Sequence, residues 1–295
     1  MTTLPIGFLG GSTPRLRDVH LDGISFPTLP VLLLSTRNLV SLRLESIPMS
    51  GYFPPDTFAI GLSTTTQLEY LEVHFLPQPP PARWSRNPPP RDRHVLPALT
   101  GFQFTGESGY LEDLVARINA PVLKRISITF FEELTCYIPR FSQFVRRAEE
   151  LRSPREFSSE ISCYEPDQQV PLLAHICEQF CDLFAGVERL EILLWSRWFD
   201  PKEDVSEPWI ELFRPFKAVK RLDVTGTLVP SIASALERDT ARYTLPALRD
   251  LYLNAPQGSI STCIEPFITA RKLSARPVSV YYWGGGSFDT PIWRD

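Results

Sequence analysis

One spacing of apolar residues recurs along the chain: an apolar residue, two variable ones, a second apolar residue, one variable, then a third. It reads Leu16-x-x-Val19-x-Leu21, Leu39-x-x-Leu42-x-Leu44, Leu68-x-x-Leu71-x-Val73, Leu99-x-x-Phe102-x-Phe104 and Leu123-x-x-Ile126-x-Ile128. After a gap it resumes as Val187-x-x-Leu190-x-Ile192, Val219-x-x-Leu222-x-Val224 and Leu248-x-x-Leu251-x-Leu253. The first positions step by 23, 29, 31, 24, 64, 32 and 29 residues. The alternating second half of each copy predicts a short strand with every second side chain turned inward. The step of 64 is twice the usual length, so a degenerate copy is expected near Leu151–Tyr164, and a terminal strand at Pro277–Trp283. Between strands the chain must return to its starting end. Apolar-periodic stretches at Glu112–Ile118, Ile138–Val145, Leu172–Phe184 and Ile232–Leu236 predict short helices on that return path.

No single copy can bury its own apolar face, so the copies must stack into one continuous core. The expected fold is α/β: an irregular solenoid with a parallel sheet of nine or ten short strands, and helices and loops on the convex side. Leu21, Leu44, Val73, Phe104, Ile128, Ile192, Val224 and Leu253 should form one buried, inward-facing row. The pattern resembles leucine-rich repeats. It departs from them after the strand, where Glu45-Ser46-Ile47-Pro48 replaces the customary asparagine or cysteine position. On this reading the solenoid spans 1–283, with a proline-rich inserted loop at 77–97, and 284–295 is a C-terminal tail.

Composition narrows the class. Thirty basic and thirty-four acidic residues leave a net charge of −4, which gives no general electrostatic reason to bind nucleic acid or an anionic membrane. No apolar run approaches the roughly 18–20 residues that span a bilayer, and Met1–Gly11 lacks the basic start of a signal peptide. The five cysteines are an odd number without framework spacing, which fits a reducing intracellular compartment, cytoplasmic or nuclear. There are 29 prolines, about twice the usual share, and they fall at regular places between copies.

Longer segments carry a closer likeness. Gly10–Ile24 followed by Phe26-Pro27, Ser50-Gly51-Tyr52, Val95–Thr100, Tyr110–Pro121 and Trp209–Val219 resemble fungal, basidiomycete-type F-box-like leucine-rich-repeat proteins, over most of residues 4 to 280. Members of that group usually begin with an F-box-like helical region that recruits the adaptor of a cullin-type ubiquitin ligase. Here Met1 stands about fifteen residues before the first copy. That region is therefore expected to be lacking, adaptor docking is not expected, and the chain reads as a fragment, a truncated gene product or a paralogue without its docking module. The resemblance implies that the intact family uses its repeats to select ubiquitination substrates.

Catalytic and metal-binding patterns are weak. There is no nucleophile elbow, phosphate loop or zinc-protease helix motif, so no enzymatic activity and no cofactor are expected. His20 and His74 fall on strands two copies apart, too far to share a metal. Cys177 and Cys181, near His175, would share one helix face and read as buried core residues. Gly284-Gly285-Gly286 reads as a bend, and the tryptophans around Phe199-Asp200-Pro201, Trp209 among them, as a packed convex loop. The segment Pro77–Pro90 with Arg83 and Arg86 has polyproline character, and reads first as a solvated loop.

The outward positions of the strands carry the broader signal. Both signs of charge are interspersed along them, for instance Arg17, Asp18, His20 and Asp22, then Arg43 and Glu45, then Glu69 and Glu72, then Lys220, Arg221 and Asp223. A mosaic of this kind suits a protein partner better than a polyanion. Arginine and tyrosine are the types enriched among interface anchors. The candidate protein-binding residues on the concave face are therefore Arg17, Arg43, Tyr70, Arg125, Arg189, Arg221 and Tyr252, expected to form one stripe. The function expected from sequence is a non-enzymatic protein-binding module. The competing reading is an orphaned structural fragment with no specific partner.

Overall fold

The computed structural model describes residues 15–77, 92–131, 138–148, 159–163, 166–192, 206–225, 228–238, 244–254 and 257–282. Two compact units are present, Met1–Ser153 with Phe157–Glu165, and Pro154–Glu156 with Pro166–Asp295.

The first unit runs β1 (Asp18–Asp22), α1 (Leu29–Leu33), β2 (Ser41–Ile47), α2 (Pro55–Leu62), β3 (Tyr70–Phe75), β4 (His94–Val95) and β5 (Gly101–Gly106). It continues through α3 (Ser108–Val115), β6 (Ile118–Asn119), β7 (Arg125–Phe130), α4 (Pro139–Arg147) and β8 (Ser159–Cys163). Six strands form a parallel sheet in the order β1-β2-β3-β5-β7-β8, and β4 pairs with β6 in a small sheet of two. The second unit runs α5 (Pro166–Gln179), α6 (Cys181–Phe184), β9 (Arg189–Ile192), α7 (Ser206–Phe213), β10 (Arg221–Thr225), α8 (Val229–Arg238), β11 (Asp250–Asn254), α9 (Gln257–Leu273) and β12 (Ser279–Tyr282). Its sheet has four parallel strands in the order β12-β11-β10-β9.

Most copies of the motif build the same joint. The N–H of the first apolar residue closes a turn onto a carbonyl three residues back, as in Leu39 to Thr36, Leu68 to Thr65, Leu123 to Ala120 and Leu248 to Leu245. The ladder then opens with one carbonyl accepting two successive N–H groups of the next strand. Arg17 receives Val40 and Ser41, Val40 receives Glu69 and Tyr70, Glu69 receives Thr100 and Gly101, and Lys220 receives Arg249 and Asp250. Register is thereby fixed at the head of each strand. It brings Leu21, Leu44, Val73, Phe104 and Ile128 into one row of the first sheet, and Ile192, Val224 and Leu253 into one row of the second.

The expected single sheet is thus corrected to separate ladders of six, four and two strands, and the expected single row to two rows. Leu21 and Ile192 are only half-buried, because each lies on the first strand of its ladder. The other six are buried.

Local chemistry explains several details. In β2 strict alternation would turn Ser46 inward after Leu42 and Leu44. Ser46 instead takes a left-handed φ of 51°, the register shifts, and Ile47 meets Phe75. This is a bulge that re-aims one side chain. Proline stands in the first turn of α1, α2 and α4, where its missing N–H costs no helical hydrogen bond. Gly61 of α2 packs so closely on α1 that a Cβ would lie 2.7 Å from the Pro30 carbonyl oxygen.

The strand rows are roofed by rings. Tyr110 of α3 sits 4.8 Å from Phe75 and stacks 5.8 Å from Phe104, and Phe144 of α4 meets Phe102 edge-on at 6.0 Å. In the second unit Trp209 stacks on Phe213 within α7, and Phe184 stacks on Phe216. The expected loop around Trp209 is therefore a helix that buries this ring, while 195–200 lie outside the described residues. Arg271 of α9 is fully buried, donating to the Thr244 and Leu245 carbonyls at 3.1 and 2.8 Å with its guanidinium over Phe267. No helix among the described residues is long and apolar enough to cross a membrane.

Candidate functional site

Strand alternation sends the residues between the buried leucines to the opposite, polar face of each sheet. In the first unit the paired positions Ser41, Tyr70, Gly101 and Arg125 form one row, and His20, Arg43, Glu72, Gln103 and Ser127 the next. Tyr70 is the centre of the cluster. Its ring lies across β5 on the space left by Gly101, where a Cβ would approach Tyr70 Cδ2 to 2.9 Å. The Arg43 guanidinium covers the ring at 4.9 Å from its centroid. The single hydroxyl proton is shared between Glu72 Oε2 at 3.1 Å and Gln103 Oε1 at 3.0 Å. Partial burial, then the Glu72 carboxylate, push the phenol up to about 12, against the pull of Arg43 and Arg125. Tyr70 is held on its faces and at its tip.

In the second unit the rows are Arg189, Arg221, Asp250 and Ser279, and beside them Glu191, Asp223, Tyr252 and Tyr281. Asp223 is 4% exposed because two guanidiniums close over it. Arg189 Nε donates to Oδ2 at 3.0 Å, while Arg221 forks onto both oxygens, with Nη2 at 2.8 Å from Oδ1 and Nε at 3.0 Å from Oδ2. The hydrogen bonds from Arg221 to Asp223 hold that guanidinium more firmly protonated than usual. Pinned in this way, Arg221 lies flat on Tyr252, 3.7 Å from the ring centroid. Tyr252 in turn stacks on Tyr281 at 4.6 Å and 17°. Lys220 and Glu188 bridge neighbouring strands at 2.6 Å at the margin of this face.

The structure gathers the candidate residues into two groups. Arg43, Tyr70 and Arg125 belong to the first sheet, Arg189, Arg221 and Tyr252 to the second, so the expected single stripe is corrected to two clusters on separate sheets. Arg17 joins neither. Its carbonyl receives the N–H groups of Val40 and Ser41, which places it one residue ahead of the ladder and in line with Val40. Sequence reading missed Gly101 as the seat of Tyr70, Asp223 as the shared carboxylate, and Tyr281. The terminal strand was located, and alternation along Val280-Tyr281-Tyr282 was the available signal for Tyr281.

Other expected features fall as follows. His20 Nε2 lies 2.9 Å from Glu45 Oε1. Cys177 and Cys181 do not share a helix face: α5 stops at Gln179 and α6 begins at Cys181, leaving Cys177 buried and Cys181 exposed. Burial pushes the Cys177 thiol up to about 12. Among the described residues no group of three or more His, Cys, Asp or Glu is arranged to hold a metal. Residues 78–91 of the proline-rich loop and the glycine triplet 284–286 lie outside the described residues, whereas the end of that loop forms β4. No family model matches the chain, and no curated protein is found to match it.

Proposed function

We propose that the chain is a non-enzymatic protein-binding module that engages its partner through the polar sheet faces. The observation that carries this reading is the assembly of Arg189, Arg221 and Tyr252 around the buried Asp223 carboxylate. Arginine and tyrosine dominate interface hot spots. Here they are locked by charge-assisted hydrogen bonds and stacking, so little side-chain entropy remains to be lost on binding. The Arg43–Tyr70 cluster offers a second such anchor. Opposite charges interleave on both faces, which favours a mosaic protein surface over a polyanion. The resemblance of the sequence to F-box-like leucine-rich-repeat proteins adds the narrower reading that the partner is a substrate for ubiquitination.

The test is affinity capture with the wild-type chain, an Arg221→Ala/Tyr252→Ala variant, an Arg43→Ala/Tyr70→Ala variant and a chain lacking Pro77–Pro90. A partner bound as proposed loses about 30-fold or more in affinity, roughly 2 kcal/mol, with at least one face variant, and binds the loop deletion normally. Capture abolished by the loop deletion and untouched by both face variants overturns the reading. The ligase-linked form further requires that the captured protein carry ubiquitin and accumulate when the chain is removed from its host.

A further inference from the structure

The turns that lead into the last three strands differ in charge from the rest of the molecule. The described residues entering β10, β11 and β12 are 214–220, 244–249 and 271–278, and they hold seven basic side chains and no carboxylate. The equivalent turns of the first unit, 34–40, 63–69, 96–100 and 120–124, hold Arg37 and Lys124 against Glu69. The chain as a whole has a net charge of −4, so this concentration runs against its balance.

Of the seven, only Arg271 is fully buried. Arg214, Lys217, Arg249, Lys272 and Arg276 are exposed, and Lys220 is half-buried. Backbone hydrogen bonds set them along one rim of the second unit. The Arg249 N–H donates to the Lys220 carbonyl at 2.8 Å, and the Ser279 N–H to the Arg249 carbonyl at 2.8 Å. Lys220 and Arg249 therefore head adjoining strands, about 4.8 Å apart. After α9 the corner is closed by the Arg276 N–H on the Arg271 carbonyl at 3.0 Å, with Ala275 at a left-handed φ of 56°. That closure fixes the backbone from which Lys272, Leu273 and Arg276 project.

Lys220 pairs with Glu188 at 2.6 Å, whereas none of the other five exposed cations has an ion pair among the described residues. A cation at a helix C-terminus offsets the helix dipole, which accounts for Lys272 in the last turn of α9. It does not account for Lys217, Lys220 and Arg249, which lie in no helix.

We propose that this rim receives a short acidic segment of the protein partner. The inference rests on the protein-binding reading and names the chemistry of the segment recognised. Unpaired like charges on one rim repel each other, and carboxylates from a partner relieve that repulsion. Two observations favour a protein segment over a nucleic acid. Leu273 is 84% exposed beside Lys272, an aliphatic contact that a peptide side chain can cover and a phosphate backbone cannot. Asp250 follows Arg249 directly and bounds the basic track on the sheet side, which suits a short segment better than a continuous polyanion.

The probe is the capped peptide acetyl-Glu-Glu-Leu-Glu-Glu-amide, titrated into the full chain carrying isotope-labelled leucine methyl groups. The Leu273 signal is assigned by Leu273→Met. The acidic peptide is expected to shift that signal saturably, and acetyl-Lys-Lys-Leu-Lys-Lys-amide is not. Arg249→Glu/Arg276→Glu should weaken binding about tenfold or more, and the neutral Arg249→Gln/Arg276→Gln about threefold. Arg37→Glu/Lys124→Glu makes the same change in net charge on the first unit and should alter binding less than about twofold. No saturable shift, or equal losses in the two reversal variants, overturns the inference. So does a deoxythymidine oligonucleotide that half-saturates the Leu273 shift at a lower concentration than the peptide. If the peptide fails while face variants still weaken partner capture, this inference falls and the protein-binding reading stands. If the peptide binds as expected while capture is insensitive to the faces, the rim stands and the broader reading falls.

Discussion

The two polar faces use the same residue types to opposite effect. On the first sheet Tyr70 is enclosed by Arg43 above, the Gly101 backbone beneath and two side-chain acceptors at its hydroxyl. On the second, the carboxylate is enclosed and the aromatic group is left open: Asp223 is buried under two arginines, and the stack runs outward to Tyr281. What decides is where the acid sits relative to the ring. Glu72 shares a strand with Tyr70, two residues on, and takes up its hydroxyl. Asp223 shares a strand with Arg221 and takes up the edge of the guanidinium, so that Arg221 turns its flat side to Tyr252. The first arrangement spends its polar groups on itself, and the second leaves a surface for something else.

The sharpest way to break this comparison is to remove each acid. Asp223→Ala leaves two guanidiniums without their common acceptor. Hydrogen bonds to charged groups contribute about 1.5–3 kcal/mol, and because both arginines are partly solvated a loss of about 2 kcal/mol is expected, read as a lower urea midpoint. Glu72→Ala removes a single acceptor from a half-buried hydroxyl that keeps Gln103, and should cost under about 1 kcal/mol. An equal or reversed ranking would mean that Asp223 does not organise its cluster.

A smaller effect separates the two tyrosine seats. Gly101→Ala places a methyl group 2.9 Å from the Tyr70 ring, which must tilt, at a cost of about 1 kcal/mol. Combined with Tyr70→Ala the same change should be nearly neutral, a coupling that a double-mutant cycle measures directly. Additive losses would show that Gly101 is not the seat of the ring.

The smallest effect is on pH dependence. Tyr70 titrates near 12 in the fold and near 10 when unfolded. A pKa raised by folding contributes stability that is intact below about pH 10 and lost as the pH rises toward 12. Because burial also raises Tyr52 and Tyr110, ultraviolet titration should show a late phenolate phase from which Tyr70→Phe removes one tyrosine's amplitude near pH 12, and Gly101→Ala should move that amplitude toward 10. Identical late phases in the wild type and in Tyr70→Phe would contradict the enclosed hydroxyl.

Much of this organisation is written in the sequence as alternation. The ten strands of the two larger ladders stand where the repeated spacing placed them, including the degenerate one at Ser159–Cys163 and the terminal one at Ser279–Tyr282, whereas the short pair β4 and β6 carries no such signal. Helices were harder to read. The expected helix at 112–118 overruns α3, because Ile118 is already paired with His94. The longest helix, α9, was not anticipated: Gly258, Ser259, Thr262 and an internal Pro266 all have poor helix propensity, and the burial of Ile264, Phe267 and Arg271 outweighs them. The break between the six- and four-stranded ladders depends on which strand edges meet, a tertiary fact no local pattern encodes. The same holds for the site. Alternation marks which residues reach the polar face, whereas the sharing of Asp223 by arginines from two strands depends on register between chain segments 34 residues apart.

Glu112 gives the array a property that its periodicity alone would not. The first turn of α4 has no side-chain cap of its own, and its exposed N–H groups at Arg140 and Phe141 are taken by the two oxygens of Glu112, from the preceding helix, at 3.0 and 2.7 Å. Asp113 beside it pairs with the Arg140 side chain. Tandem copies are often gained or lost singly in evolution. Here a copy inserted between α3 and α4 would part Glu112 from the helix it caps and Asp113 from the arginine it pairs with, a cost that duplicating the two segments together would avoid.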